Sequence, residues 1–479
     1  MSRNVAVIGA GPAGLIAAHE LRLEGHKVVV FEQQKQVGGT WVYTPQTESD
    51  PLGVDPVRNT VHSSLYHSLR TNLPREAMGF RVYPFRVNDS EKRDGRRFPG
   101  HREVLEYLTE FANEFEIVEL VRFETQVVHV GMVMEPDGGS PTKNWRVRSK
   151  SKSTPRKRDY SHSDDENEEE FVEIDEIYDA IVVCVGHYKE PRVAQIQDIE
   201  DYCDAFQVVA GIDVWPGKQM HSHNYRIPEP FRDQVVVLIG ASMSAADISR
   251  EIAAVTKQVH IAIRSVDTTR RSTAPSIRPG YDNTWLHYSM IERVHEDGSV
   301  VFEDGTVIFA HTIIHCTGYE YHFPFLETNG IVSVDDNRVG PLYKHIFPPY
   351  LAPSLSFVGI PWKLPPFPFF ELQSKWIAGV LSNRIQLPTA EEMMKDVESF
   401  YSKYEISGLP KRYTHCIGES LIEYYNWLSV ECECEFIEEW RINMLLSTIN
   451  RGSLQPETYR DIWEDDHLIL QAHHDWNHL

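Results

Sequence analysis

The chain has 479 residues, too many for one ordinary core and enough for about two to four domains. Hydrophobic residues make up 41% and charged residues 24%, the usage of an ordinary globular protein. A formal net charge of −23 repels phosphate backbones from most of the surface and argues against nucleic acid as a partner.

Val5-Ala6-Val7-Ile8 reads as a buried strand, Leu15 to Glu24 as a helix, and Val28 to Phe31 as a second strand. Between the first strand and the helix stands Gly9-Ala10-Gly11-Pro12-Ala13-Gly14, the GxGxxG turn of a βαβ unit. Gly9 permits the tight turn, Gly11 lets the backbone reach a pyrophosphate, and Gly14 lets the helix pack on the strand. The helix N-terminus adds amides and a positive dipole for the phosphates. Glu32 closes the second strand, where a carboxylate suits an unphosphorylated ribose 2′-OH, so the ligand expected here is FAD or NAD.

Arg102 to Phe115 reads as an amphipathic helix with Val104, Leu105, Leu108, Phe111 and Ala112 on one face. Residues 143–176 carry basic residues followed by an acidic run, and we expect a flexible surface loop there. Tyr178 to Gly186 restores a buried strand. Gln234 to Arg264 then repeats the N-terminal plan of strand, small-residue turn, helix and strand.

The second turn, Gly240-Ala241-Ser242-Met243-Ser244-Ala245, is degraded, with Ser242 in the place of the second Gly and Ala245 in that of the third. Both are small, and the Ser242 hydroxyl can donate to phosphate. Arg264 and Ser265 end the following strand in the place of Glu32, and an Arg there accommodates a ribose 2′-phosphate, which points to NADPH. Thr312 to Tyr319 reads as a further strand ending in glycine, and from about Ala390 the chain reads as mainly helical.

The expected fold is α/β with two Rossmann-like domains, the FAD domain being discontinuous and the NADPH domain inserted into it. The boundaries expected are 1–202, 203–315 and 316–479. The longest apolar stretch, Tyr350 to Phe370, is broken by five prolines and cannot form a spanning helix, so no membrane anchor is expected. None of the six cysteines forms a CxxC pair or a zinc-spaced cluster, so no metal is expected, and Cys432-Glu433-Cys434 reads as two thiols of a reduced protein. A strand beginning almost at the N-terminus leaves no room for a signal peptide, and a cytoplasmic location is expected.

With these pieces placed, the chain resembles the flavin-containing monooxygenases, and most closely their plant S-oxygenating branch. Gly38-Gly39-Thr40-Trp41 is similar to that family's GG(T/L)W. Trp215 to Tyr225 resembles its identifying FxGxxxHSxx(Y/F), with Trp215 in the Phe place, and Cys316-Thr317-Gly318-Tyr319 resembles its ATGY linker. Ser63 to Glu76, Phe98 to Leu105 and Phe369 to Gly379 match the plant branch. The resemblance implies that NADPH reduces FAD, that the reduced flavin and O₂ give a C4a-hydroperoxide, and that bound NADP⁺ shields it until a thioether or amine takes an oxygen.

By the same resemblance Asn72 acts at the flavin's oxygen adduct and Gln373 lies on the flavin side, while His221 and Ser222 are mainly architectural. Gly39, Thr40 and Trp41 join the FAD set. A methylthioalkyl glucosinolate or an S-alkyl cysteine is the implied substrate type. N-oxygenating or decarboxylating plant relatives stay open as alternatives, as does a non-catalytic sensor binding FAD and NADPH. A disulfide reductase is excluded, because no redox cysteine pair follows Glu32.

Overall fold

The computed structural model describes residues 1–88, 90, 92–134, 141–152, 171–194, 212, 214–264 and 277–477. The chain divides into two compact units. Met1–Val42, Arg70–Gly186 and Tyr321–Leu479 form the first, and Tyr43–Leu69 with His187–Glu320 form the second. Tyr43–Leu69, within the 1–202 stretch expected to open the FAD domain, groups with the second unit, where buried polar side chains hold it. Arg226 is 5% exposed, and its guanidinium donates to the carbonyls of Thr44, Gln46, Ser63, His223 and Tyr225 at 2.6–3.1 Å. Glu48 accepts from Arg58 at 2.9 Å and from the Val61 amide at 3.1 Å.

The first unit is built on a five-stranded sheet in the order Leu355–Phe357, Ala180–Val183, Asn4–Ile8, Lys27–Phe31, Val121–Arg122, with every neighbouring pair parallel. Strands buried on both faces are continuously apolar, and alternate residues of Asn4–Ile8 feed two different cores. Val5 and Val7 pack with Leu15, Ile16 and Ala18 of the Pro12–Leu23 helix. Ala6 and Ile8 pack with Val127, Val130, Trp145 and Val147 of a second, four-stranded sheet.

The second unit repeats this design. Its six-stranded sheet runs Ile277–Pro279, Thr284–His287, Gln258–Ala262, Val235–Ile239, Thr312–His315, Lys218–His221, parallel except at the Ile277–Pro279 edge. Val236 and Leu238 face Ala245, Ile248 and Ile252 of the Met243–Ala253 helix. Val235, Val237 and Ile239 face Ile291, Val294, Val300 and Phe302 of a small antiparallel sheet. Two α/β sheets are therefore each covered by a helix on one face and by β-structure on the other.

The 143–176 stretch departs from expectation. Its described parts are strands: Pro141–Lys152 pairs antiparallel with Thr125–Met134 and, from Trp145↔Tyr178 to Lys152↔Phe171, with Phe171–Tyr178. A period-two pattern lay hidden among the charges. Trp145, Val147 and Ser149 are buried on one face. The charged residues decorate the other, where Arg148 pairs with Asp175 at 3.1 Å and Lys150 lies over the Phe171 ring. Residues 153–170 lie outside the described residues.

Helices Ala390–Ile406, Leu421–Glu431, Glu439–Leu454 and Asp466–Trp476 follow in the C-terminal part. Thr389 and Glu392 form a reciprocal capping box on the first of them. Among the described residues no helix is long and apolar enough to cross a membrane.

Candidate functional site

Each parallel sheet ends at a glycine turn, and the two turns share their steric logic. Gly9 has φ +104° and Gly240 has φ +107°, a region open to glycine. A Cβ on Gly9 would lie 2.6 Å from the Cys184 carbonyl oxygen, and one on Gly240 would lie 2.6 Å from that of Cys316. Gly9 N–H donates to Phe31 O at 2.8 Å and Gly240 N–H to Ala262 O at 3.0 Å. Cys184 and Cys316 N–H donate to Ile8 O and Ile239 O, both at 2.9 Å. The crossing of three strands around each turn leaves no volume for a side chain.

Beyond the turns the helices open in the same way. Gly11 and Ser242 are the N-caps, both extended, and neither receives a side-chain cap. The first amides to bond back are Leu15 N–H, to Gly11 O, and Ala246 N–H, to Ser242 O, each at 3.0 Å. The first-turn amides of Ala13 and Gly14, and of Ser244 and Ala245, thus have no acceptor within their helices, which is the donor set an anion requires. Pro12, at the first position of its helix, loses only an amide that had no helical partner.

In the first unit a second glycine pair completes the cradle. Gly38 N–H donates to Ala10 O at 3.0 Å, and Gly39, at φ +56°, approaches so closely that its Cβ would lie 2.9 Å from Gly11 Cα. Two bare backbones face each other there, a place where added methyl groups would occupy the approach of a pyrophosphate. Thr40 and the half-buried Trp41 follow in the same short turn, with Trp41 packed edge-to-face on Phe367.

Glu32 is 4% exposed, its Oε2 accepting from Ala10 N–H and its Oε1 from Gln34 N–H, both at 2.8 Å. Burial raises its carboxyl above the usual range, opposed by the amides of Gln34, Ala10 and Gln33. The donors, the glycine cradle and the carboxylate at the end of the second strand fit a dinucleotide with an unphosphorylated ribose. In the second unit Ser242 and Ser244 are exposed beside the open amides, and Arg264 is exposed at the end of Gln258–Ala262. This set fits a dinucleotide bearing an additional phosphate. Ser265 lies outside the described residues.

Asn72 is exposed in the turn between Thr71 and Pro74. Two of the segments matched by resemblance meet around it: Thr71 N–H donates to Pro99 O and Arg75 N–H to Arg97 O, both at 2.9 Å, while Arg70 Nε reaches Phe98 O at 3.0 Å. Nothing in the residue pattern marks what anchors this loop. Arg75 is fully buried, its guanidinium donating to the carbonyls of Arg86, Asp94 and Arg96 and lying 3.5 Å from Glu103. A cation within such a run carries no signature that separates a structural clamp from a ligand contact.

Gln373 is fully buried in the Pro366–Leu381 helix, where its Oε1 accepts from Gly359 N–H at 2.9 Å and fixes a turn at φ +87°. His221, also fully buried, accepts from His223 N–H through Nδ1 at 3.0 Å and packs edge-on against Tyr319. Burial, with His223 and His315 nearby, pulls its pKa down to about 3.

Comparison with known proteins agrees with this geometry. The family of flavin-binding monooxygenase-like proteins matches residues 2–271 and 286–435. Flavin-containing monooxygenase FMO GS-OX-like 3 of Arabidopsis thaliana is 58% identical, over 99% of this chain and 97% of its own. The structure of S-allyl-L-cysteine S-oxygenase from Allium sativum superposes with a TM-score of 0.87 at 54% identity, covering 100% of this chain and 99% of that one. Tmm from a Pelagibacter strain shares the fold at a TM-score of 0.70 and 23% identity, over 96% and 93% of the two chains. With two glycine-turn α/β units in one chain, this protein belongs to the flavin-binding monooxygenase-like family, with FAD and NADPH as its cofactors.

Proposed function

We propose that the protein S-oxygenates a small thioether to its sulfoxide, consuming NADPH, a proton and O₂ and releasing NADP⁺ and water. The observation that carries the reading is the likeness, along the whole chain, to an S-allyl-L-cysteine S-oxygenase. An S-alkenyl or S-alkyl cysteine is the substrate class to try first.

In this reading Gly9, Gly11, Pro12, Ala13, Gly14, Glu32, Gly39, Thr40 and Trp41 hold FAD, and Gly240, Ser242, Ser244, Ala245, Arg264 and Ser265 hold NADPH. Bound FAD supplies O₂ activation and NADPH the reducing equivalents. The chain's own work is positional. The helix N-termini neutralise pyrophosphate charge, Glu32 accepts from ribose hydroxyls, and Arg264 pairs with the 2′-phosphate. Asn72, exposed between hydrogen-bonded neighbours, would offer an amide N–H as a donor to the flavin. Gln373 holds the Gly359 turn in place. We assign FAD to the unit of Met1–Val42, Arg70–Gly186 and Tyr321–Leu479, and NADPH to that of Tyr43–Leu69 and His187–Glu320. A cytoplasmic location fits the five described cysteines, all unpaired.

The test is product analysis. Purified flavoprotein with NADPH should add one oxygen to S-allyl cysteine, read by mass spectrometry. Robust N-oxidation of tertiary amines with no sulfoxide from any thioether would overturn the reading. Asn72→Ala should lower the sulfoxide formed per NADPH consumed, with the difference appearing as hydrogen peroxide.

A further inference from the structure

Cys432-Glu433-Cys434 plays no part in either dinucleotide turn. Cys432 caps the Leu421–Glu431 helix, Glu433 turns left-handed at φ 54°, and Cys434 N–H returns to Ser429 O at 2.9 Å. This Schellman-type ending folds Cys434 back over the helix end, where its Sγ–H reaches the Cys432 carbonyl at 3.5 Å. Two trans peptides bent by a left-handed residue bring the Cα atoms into the range of roughly 4.4–6.8 Å that a disulfide spans. The Cys432 thiol donates to the Leu372 carbonyl at 3.4 Å.

The two sulfurs differ in setting. Cys432 is buried in the main core, and Cys434 is half-buried at its edge. The neighbouring Cys432 thiol, and then the Lys375 and Arg81 cations, hold Cys434 below the ordinary thiol range. The Cys434 thiol beside it, and then burial, push Cys432 up. Burial also raises Cys184, Cys316 and Cys416, so none of these shares the setting of Cys434. A thiolate-prone, partly exposed cysteine beside a second thiol is the arrangement of a reactive cysteine with its resolving partner.

We propose that Cys434 and Cys432 form a reversible dithiol–disulfide site oxidised by hydroperoxides. The Cys434 thiolate attacks one peroxide oxygen; an S–O bond forms, the O–O bond breaks, and the leaving alkoxide or hydroxide takes a proton. Cys432 sulfur then attacks the Cys434 sulfenic acid; the S–S bond forms, the S–O bond breaks, and the oxygen leaves as water with the Cys432 proton. Two thiols lose two electrons, and one hydroperoxide is reduced to an alcohol, or water, plus water. Closure also withdraws the Cys432 donor from the Leu372 carbonyl, one residue before Gln373.

The experiment uses the full-length flavoprotein near neutral pH with equimolar hydrogen peroxide, followed by denaturing alkylation and peptide mass spectrometry. The peptide carrying Cys432 and Cys434 should appear unlabelled and two hydrogens lighter, at least about tenfold faster than Cys416 is modified, and a dithiol reductant should restore labelling. Cys432→Ser should leave a sulfenic acid at Cys434 that a cyclic diketone traps, and Cys434→Ser should leave the peptide unreactive. A pair still fully labelled when Cys416 is already oxidised would overturn the proposal, as would a sulfinic acid at Cys434 with no disulfide. The wild-type readout stands without either variant, and it is independent of monooxygenase turnover.

Discussion

Gly14→Ala tests the packing of the first cradle. A Cβ at this position lies 1.8 Å from the Gly9 carbonyl oxygen and 2.9 Å from its carbon, whereas ordinary contact begins near 3.4 Å. The Pro12–Leu23 helix would have to retreat by more than about 1 Å, and it has no slack, because Leu15, Ile16, Ala18 and Leu21 are fully buried against the sheet. Overpacking of this kind costs about 3 kcal/mol, or roughly 6 °C in Tm for a unit of this size. Gly11→Ala separates fold from ligand. Its Cβ would sit 3.5 Å from Gly39 Cα at a φ of −74°, an arrangement any residue tolerates, so the apoprotein should melt as the wild type does. The methyl would nevertheless fill the approach to the amides, and losing charge-assisted contacts to the pyrophosphate should weaken FAD binding by about 100-fold. Scanning fluorimetry of the apoproteins and flavin fluorescence titration read the two effects. Gly11→Ala with wild-type FAD affinity would refute the cradle, and Gly14→Ala with an unchanged melting point would refute the packing.

Arg264→Ala should raise KM for NADPH by roughly 10- to 30-fold, the worth of one partly solvated charge-assisted contact, and leave KM for NADH within about twofold; equal changes would remove the 2′-phosphate role. Burial lowers the pKa values of His221 to about 3 and of His260, His315 and His345 to about 4. Their neutral forms are favoured when folded, so stability is present above the unfolded value of about 6.5 and is lost as pH falls towards 4, at up to about 1.4 kcal/mol per pH unit for each histidine. Burial raises the Glu32 and Glu76 carboxyls, which opposes part of that loss at the acid end. Urea midpoints that stay flat from neutral pH to 5 would refute the argument. Glu371→Leu should cost about 3–5 kcal/mol in thermal unfolding, because the fully buried carboxylate accepts from Lys375 and from the Arg81 amide, each at 2.6 Å.

Much of this was legible in the residues. The GxGxxG turn, its degraded echo and the apolar strands before them predict both α/β units, because close packing writes itself into sequence as glycine and as uninterrupted valine and isoleucine. Gly39 was legible only through resemblance, since nothing local says that its backbone will face Gly11. The hairpin of Pro141–Lys152 and Phe171–Tyr178 was missed because charge density hid the alternation of Trp145, Val147 and Ser149. Arg75 was illegible for a different reason. Its acceptors are backbone carbonyls, and any residue can supply a carbonyl, so no side-chain pattern records the clamp. The placement of Tyr43–Leu69 rests on the same kind of bond.

That placement decides how the gene can be cut. A fragment running from His187 to Glu320 would look complete on a sequence map, but it would strip Arg226 of the Thr44, Gln46 and Ser63 carbonyls and leave two of its acceptors. A guanidinium so stranded would draw water into the interior, and the fragment would be recovered as aggregate. Splicing Tyr43–Leu69 ahead of His187 by a short glycine-rich linker is the minimal recombinant form of the second unit that should express on its own.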